Sequence, residues 1–312
     1  MRKTQLGSTG LEISRVGFGA WAIGGGGWQF GWGSQPDDDS IAAIHRALEL
    51  GVNWIDTAAA YGFGRSEEVV GQAIKGLDNR PYIFTKCSLV DDGTRHVRNV
   101  LKRDSILREA EASLGRLGVD AIDLYQIHWP RPDADIEEGW ATLAELKEQG
   151  LVRHIGVSNF DVSQLQRIQR IAPVETLQPL YSLIDRDVEK ELLPYAEREN
   201  IGVIVYSPMG SGVLTGAITA ERVAAMPDDD WRKTDSRFTT QLPENLALAD
   251  RLATVAGRHG TTQGAVAVAW TLLNPAVNGA ITGFRRPGQV DPILPAADLE
   301  LTEQDIAEIE GK

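Results

Sequence analysis

Short apolar or β-branched runs alternate with longer amphipathic stretches along most of the chain. The short runs read as buried strands at 15–19, 53–56, 82–86, 123–128, 154–158, 176–178, 202–206 and 279–282. Between them apolar residues recur with helical period at 38–50, 65–76, 104–117, 136–149, 161–171, 187–199 and 244–273, the last with a break at His259-Gly260. A further helix is predicted over 297–312. Ahead of the first of these strands, 4–6 and 11–13 flank Gly7-Ser8-Thr9-Gly10 and read as a β-hairpin.

Strand–helix alternation implies parallel strands joined by right-handed crossovers. A doubly wound sheet alternates in the same way, but eight regular units favour closure. The predicted fold is therefore α/β, a (β/α)8 TIM barrel with an N-terminal β-hairpin, and the 312 residues are expected to form one domain, 1–312. One long irregular stretch, 208–243, holds Asp228-Asp229-Asp230, Trp231, Arg232 and Lys233. Loops of that length in compact domains are usually functional lids or disordered.

Charge and cysteine content narrow the setting. The formal net charge of −13 makes nucleic acid and anionic membrane poor partners. A lone cysteine, Cys87, cannot form a disulfide within the chain and suits a reducing compartment. No apolar run is long enough for a signal peptide or a membrane span, so a cytoplasmic protein is expected, as a monomer or weak homo-oligomer. Because side chains alternate along a strand, Cys87 should face away from Lys86 and serve packing.

Asp56, Lys86 and His128 end the second, third and fourth of these strands, and Tyr61 follows Asp56 in the next loop. The C-terminal strand ends of such a barrel form its active face, so the four should converge. A tyrosine, with an ordinary pKa of about 10, is a poor acid at neutral pH. The Lys86 ammonium is expected to lower that value, and Asp56 to keep the lysine charged. His128 can donate a hydrogen bond where oxyanion charge develops. Each residue alone has a bland reading as a turn cap, a half-buried aromatic, a solvated strand end or a core histidine. Together they describe a general acid beside an oxyanion site, suited to protonating a carbonyl oxygen. The five histidines show no metal-ligand spacing, so no metal is expected. Gly17-Phe-Gly19-Ala-Trp-Ala22 matches a dinucleotide fingerprint loosely, but Gly24-Gly25-Gly26-Gly27 cannot open the helix such a site needs.

The motifs carry a resemblance. Gly51-Val-Asn-Trp-Ile-Asp-Thr-Ala-Ala-Ala-Tyr61-Gly-Phe-Gly64 with Ser66-Glu67 looks like the signature of the aldo-keto reductases. Phe84-Thr85-Lys86, Asp120 to Pro130 with His128, Ile155-Gly-Val-Ser158-Asn159-Phe160, Gln178, Tyr206-Ser207-Pro208 and Gly283 to Gln289 follow in order. The set covers nearly the whole chain and is similar to the bacterial members related to potassium-channel β subunits.

The resemblance implies an NADPH-dependent reduction of an aldehyde or ketone, with Tyr61 as acid, Lys86 and Asp56 tuning it and His128 orienting the carbonyl. NADH is the less favoured cofactor. The matching positions imply Ser158, Asn159 and Gln178 at the carboxamide and Tyr206 against the nicotinamide ring. Gly19, Ala20 and Trp21 would approach from the first of the eight strands. The loop through Ser207, Pro208, Met209, Gly210, Leu214 and Gly216 would pass over the pyrophosphate. Gly283, Phe284, Arg285, Arg286 and Gln289 would lie at the adenosine phosphate. Ala217 stands where many relatives carry a lysine, so Arg232 or Lys233 would supply that charge. Val290-Asp291-Pro292-Ile293 replaces the usual adenine contacts. Trp21, Trp28, Trp32 and Trp129, with Tyr61 and His128, are expected to line the pocket of a small carbonyl substrate. The alternative is a cofactor-binding barrel with little or no turnover, like the channel β subunits.

Overall fold

The computed structural model describes residues 1–226 and 230–312, so Asp228 and Asp229 of the acidic run lie outside the described residues. A short antiparallel hairpin comes first, β1 (Lys3–Gln5) and β2 (Glu12–Ser14), paired with Lys3 opposite Ser14. Then come β3 (Val16–Gly19), β4 (Trp54–Asp56), β5 (Tyr82–Cys87), β6 (Leu89–Asp91), β7 (Val97–Asn99), β8 (Ile122–Ile127), β9 (Val152–Ser158), β10 (Thr176–Gln178), β11 (Gly202–Tyr206) and β12 (Val277–Gly283). Eight of these, β3-β4-β5-β8-β9-β10-β11-β12, close into a parallel barrel, and every expected barrel strand is among them. The fold is a (β/α)8 TIM barrel with an N-terminal hairpin.

The helices are α1 (Asp37–Glu49), α2 (Arg65–Ile74), α3 (Arg103–Leu117), α4 (Ile136–Glu148), α5 (Val162–Ile168), α6 (Leu192–Arg198), α7 (Ala220–Ala224), α8 (Leu242–His259), α9 (Gln263–Thr271) and α10 (Glu303–Glu310). The expected break after His259 is real: Gly260 takes φ +60°, a left-handed cap that favours glycine. Three helices differ from expectation. A helix over 187–199 is cut to a 3-10 turn and α6, because Pro194 lacks an N–H and its ring crowds the carbonyl four residues back. The helix expected over 161–171 ends at Ile168, shortly before Pro173. The last helix starts only where Thr302 and Asp305 form a capping box. The hairpin β6–β7 was not foreseen, since two three-residue strands are too short to show a period. No helix of the described residues is long and apolar enough to cross a membrane.

The period of two along each strand sorts the barrel interior into levels. Trp54, Phe84, Leu124, Ile204 and Ile281 fill the lower interior, together with Leu6 and Ile13 from the hairpin. Each such buried side chain contributes roughly 1.5–3 kcal/mol, and the hairpin shields this end from water. Gly17 makes room: a Cβ there would lie 2.2 Å from the Trp54 indole. The loose glycine fingerprint is thus a packing device. Two residues further along, the same rows turn polar, placing Asp56, Lys86, Gln126, Gln178 and Tyr206 toward the C-terminal mouth. Cys87 falls on the opposite face, buried among the helices, as strand alternation requires.

Candidate active site

At the mouth, strand-end residues turn sharply. Ser88, Asn159 and Ser207 follow β5, β9 and β11 directly and have φ of +82°, +63° and +55°. Left-handed backbone is uncommon for these residues and survives only where neighbours hold it. These turns bend the loops over the barrel and leave the strand-end side chains facing one another.

Lys86 is the centre. Its Nζ donates to Asp56 Oδ2 at 2.6 Å, to the Thr57 carbonyl at 2.9 Å and to the Tyr61 hydroxyl at 3.4 Å. The lysine side chain is fully buried and that of Asp56 is 3 % exposed. Gln178 Nε2 donates to the other Asp56 oxygen at 2.8 Å. The His128 ring meets the Tyr61 ring edge-on at 5.6 Å. The four residues expected to converge do so.

Burial dominates their protonation. It pushes the Asp56 carboxyl up and the Lys86 ammonium down, while their mutual attraction opposes both shifts. It lowers His128 well below the ordinary histidine range, with the Lys86 charge adding to this, so the imidazole is neutral near pH 7. Tyr61 differs from expectation. Burial, with the Asp56 charge second, raises its phenol well above 10 rather than lowering it. Tyr61 therefore holds its proton firmly.

The residues expected at a nicotinamide carboxamide form a closed network. Asn159 donates from Nδ2 to the His128 carbonyl and to Ser158 Oγ, and accepts from the Tyr206 hydroxyl at 2.8 Å. Ser158 Oγ donates to the Gln178 carbonyl. Gln126 Nε2 and His128 Nδ1 are buried without a hydrogen-bond partner among the described residues. Gln126 was not foreseen, because mid-strand glutamine gives no signal until the strand's inward face is known.

Gly19 pairs with both Asp56 and Gly283, and Ala20 N donates to the Asp56 carbonyl at 2.8 Å. After β11, Ser207, Gly210, Ser211, Gly212 and Gly216 all have positive φ, a run suited to presenting N–H groups to an anion. Met209 of this loop borders Gly264 of α9, while Leu214 and Pro208 are buried. Arg237, which the sequence pattern does not single out, meets this loop, donating to Ser211 Oγ at 3.4 Å. Asp235 raises its pKa, keeping it charged.

Arg232 instead reaches the other end. It lies over the Trp32 ring at 4.8 Å and is paired with Asp230 at 2.6 Å; burial first, and then the charges of Arg232 and Arg286, lower the pKa of Arg285. Arg285 is pinned by Gln35 and the Ser34 carbonyl, and its N–H donates to Gln289 Oε1. Phe284 packs into the core against Phe18, leaving only its backbone for contacts at the mouth.

Trp21, Trp28 and Trp32 gather at the mouth with Tyr61. Trp21 and Trp28 come within 6.4 and 6.5 Å of the Tyr61 ring. Trp231, named in the irregular stretch but not expected in the pocket, stacks on Trp21 at 5.6 Å and meets Trp32 edge-on. Its distance in sequence hid it. Trp129 makes no ring contact with this group among the described residues. It faces Arg131 and borders a cavity of about 450 Å3 with Asn159, Phe160 and Leu180.

The profile of the Aldo/keto reductase family matches residues 15–312. The chain is 39% identical to aldo-keto reductase YhdN of Bacillus subtilis, over 99% of this chain and 92% of that protein. It is 35% identical to an NADH-specific methylglyoxal reductase of Escherichia coli, over 98% and 96%. The structure of glycerol dehydrogenase AKR11B4 from Gluconobacter oxydans superposes with a TM-score of 0.88 at 37% identity, covering 99% of this chain and 94% of that one. With the barrel and its polar mouth, these likenesses show that the chain belongs to the aldo/keto reductase family and is an NAD(P)H-dependent oxidoreductase acting on carbonyl groups.

Proposed function

We propose that the protein reduces a small aldehyde or ketone to its alcohol, with NADPH preferred over NADH and Tyr61 giving the proton. The observation that carries the reading is the contact of Lys86 Nζ with both Asp56 and the Tyr61 hydroxyl, beneath an aromatic mouth. The chain's residues fit a dinucleotide. Gln126 Nε2 is an unpartnered buried donor beside Gln178, the run of positive φ forms an anion cradle, and Arg232, Arg285 and Arg286 crowd like charges together. Ser158, Asn159 and Gln178 would hold the carboxamide by exchanging some of their present hydrogen bonds, and Tyr206 would flank the ring. When bound, the reduced nicotinamide supplies the hydride.

The chain's own residues do the rest. A carbonyl oxygen between Tyr61 and His128 meets two donors: a phenol that keeps its proton, and a neutral imidazole. As negative charge builds on that oxygen, Tyr61 gives up its proton, and the Lys86 ammonium at 3.4 Å stabilises the phenolate left behind. Asp56 keeps the ammonium charged and aimed. Trp21, Trp28, Trp32 and Trp231 exclude water and favour a substrate with an apolar body. One similar relative is named NADH-specific, so the NADPH preference is argued from this chain's own arginines.

A screen of aldehydes, ketones, quinones and sugars with both cofactors tests the reading. Tyr61→Phe keeps the ring and removes the proton. It should lower kcat by at least about 100-fold while leaving cofactor affinity near wild type. Near-normal turnover by Tyr61→Phe would remove the tyrosine from the reaction.

A further inference from the structure

Behind the mouth, on the outer face of the barrel, one carboxylate of α3 reaches the strand end that carries Lys86. Glu109 Oε2 accepts the Ser88 N–H at 2.9 Å, and its other oxygen accepts from the Ser105 hydroxyl at 3.0 Å. Ser88 has φ +82° and follows Lys86-Cys87 directly. It is also a junction. Its hydroxyl accepts the Trp129 N–H at 3.4 Å, its carbonyl accepts the Val100 N–H at 2.9 Å, and the neighbouring Cys87 carbonyl accepts the His128 N–H at 3.1 Å. One strained serine thus ties together the ends of β5 and β8, where Lys86 and His128 stand. A left-handed serine is costly unless its surroundings hold it, and the Glu109 carboxylate grips its N–H.

We propose that Glu109 is a positioning residue for the reduction: its ionised carboxylate holds the Ser88 turn, and through it the relative placement of Lys86 and His128. This rests on the functional reading above.

The surroundings make the grip sensitive to pH. Burial pushes the Glu109 carboxyl up to about 7, and the Ser105 and Ser88 hydrogen bonds oppose that rise. Glu67 on α2 adds a like charge, and Arg108 on α3 offsets it. Glu67 is itself paired with Arg116. Cys87 on β5 and Tyr125 on β8 also face this carboxylate. Burial, chiefly, pushes both well above their ordinary values, so both stay neutral. His128 and Tyr61 lie well below and well above the neutral range, so neither accounts for a transition near pH 7. Proton uptake by Glu109 exchanges a charge-assisted hydrogen bond for a weaker neutral one and loosens the turn on the acid side.

The test compares wild type, Glu109→Gln and Glu109→Ala between pH 5.5 and 8.5. Glutamine keeps an acceptor oxygen and cannot titrate; alanine removes the acceptor. Two readouts are taken: the pH dependence of kcat for carbonyl reduction, and the amide 1H–15N shift of Ser88 in the unliganded protein. Wild-type kcat should fall severalfold toward acid with a midpoint close to 7, together with a titrating Ser88 amide. Glu109→Gln should lose that limb and that titration while keeping a plateau kcat within about threefold of wild type. Glu109→Ala should lose about tenfold in kcat at every pH, with cofactor affinity unchanged. The proposal is overturned by an acid limb that persists at the same pH in Glu109→Gln, by wild-type kcat in Glu109→Ala, or by a Ser88 amide that does not titrate. A wild type that reduces no carbonyl overturns the functional reading instead, and the Ser88 titration still decides whether Glu109 grips the turn.

Discussion

Removing one member of the Lys86–Asp56 pair leaves the other stranded. The two side chains are essentially inaccessible and meet at 2.6 Å. Lys86→Met leaves the Asp56 carboxylate with Gln178 as its side-chain donor at 2.8 Å. Asp56→Asn leaves the lysine without the contacts that raise its pKa most, so burial drives its proton off at a lower pH than in wild type. Breaking a buried pair from one side typically costs about 3–5 kcal/mol, because an uncompensated charge remains in the interior. Removing both charges together removes that penalty. The double variant should therefore be less destabilised than the sum of the singles by about 2–3 kcal/mol. Urea unfolding at pH 7, followed by tryptophan fluorescence, measures all four proteins. Turnover should show the same coupling, because both residues act through Tyr61: the double variant should reduce carbonyls no worse than Lys86→Met does. Stabilities that add within about 0.5 kcal/mol, with turnover defects that multiply, would show that the two residues act independently.

Replacing Arg285 and Arg286 together with alanine should weaken NADPH by roughly 2–4 kcal/mol and leave NADH nearly unchanged, as charge-assisted hydrogen bonds to a phosphate are lost; fluorescence titration with both cofactors measures this. Trp231→Ala opens the stack on Trp21 and should raise KM for apolar aldehydes by about tenfold with a smaller change in kcat, read from steady-state kinetics. Glu109 also predicts a stability trend. Its folded pKa, raised from 4.5 to about 7, means that its contribution is fully present below about 4.5 and lost as pH rises through 7. Glu109→Gln should therefore melt like wild type at pH 5 and a few degrees higher at pH 8, by calorimetry.

Periodicity alone was enough to read the barrel. Each strand buries both faces in a closed parallel sheet and each helix buries one, so the alternation of short apolar runs with amphipathic stretches is written directly into the chain. The tetrad was legible for a related reason. Strand ends can be located from the pattern, and in this architecture they all open on one face. The strand ends thus bring Asp56, Lys86 and His128 together from the pattern alone, although long stretches of chain separate them.

What the chain order could not disclose depends on three-dimensional neighbours. Trp231 comes from a stretch without period, and only packing against Trp21 and Trp32 makes it a wall of the mouth. Arg232 and Arg237 lie five residues apart in one segment, yet the fold sends one toward Arg285 and the other toward Ser211. The Tyr61 phenol was expected to be depressed by Lys86. It is raised, because desolvation depends on everything that surrounds the ring and because the nearby Asp56 charge disfavours a phenolate. Residue types and strand ends are local properties, so sequence determined the fold and which strand-end residues meet at its mouth. Burial, like-charge crowding and the partner each side chain finds are sums over distant residues, so only the tertiary structure decided how those members are held and how they titrate.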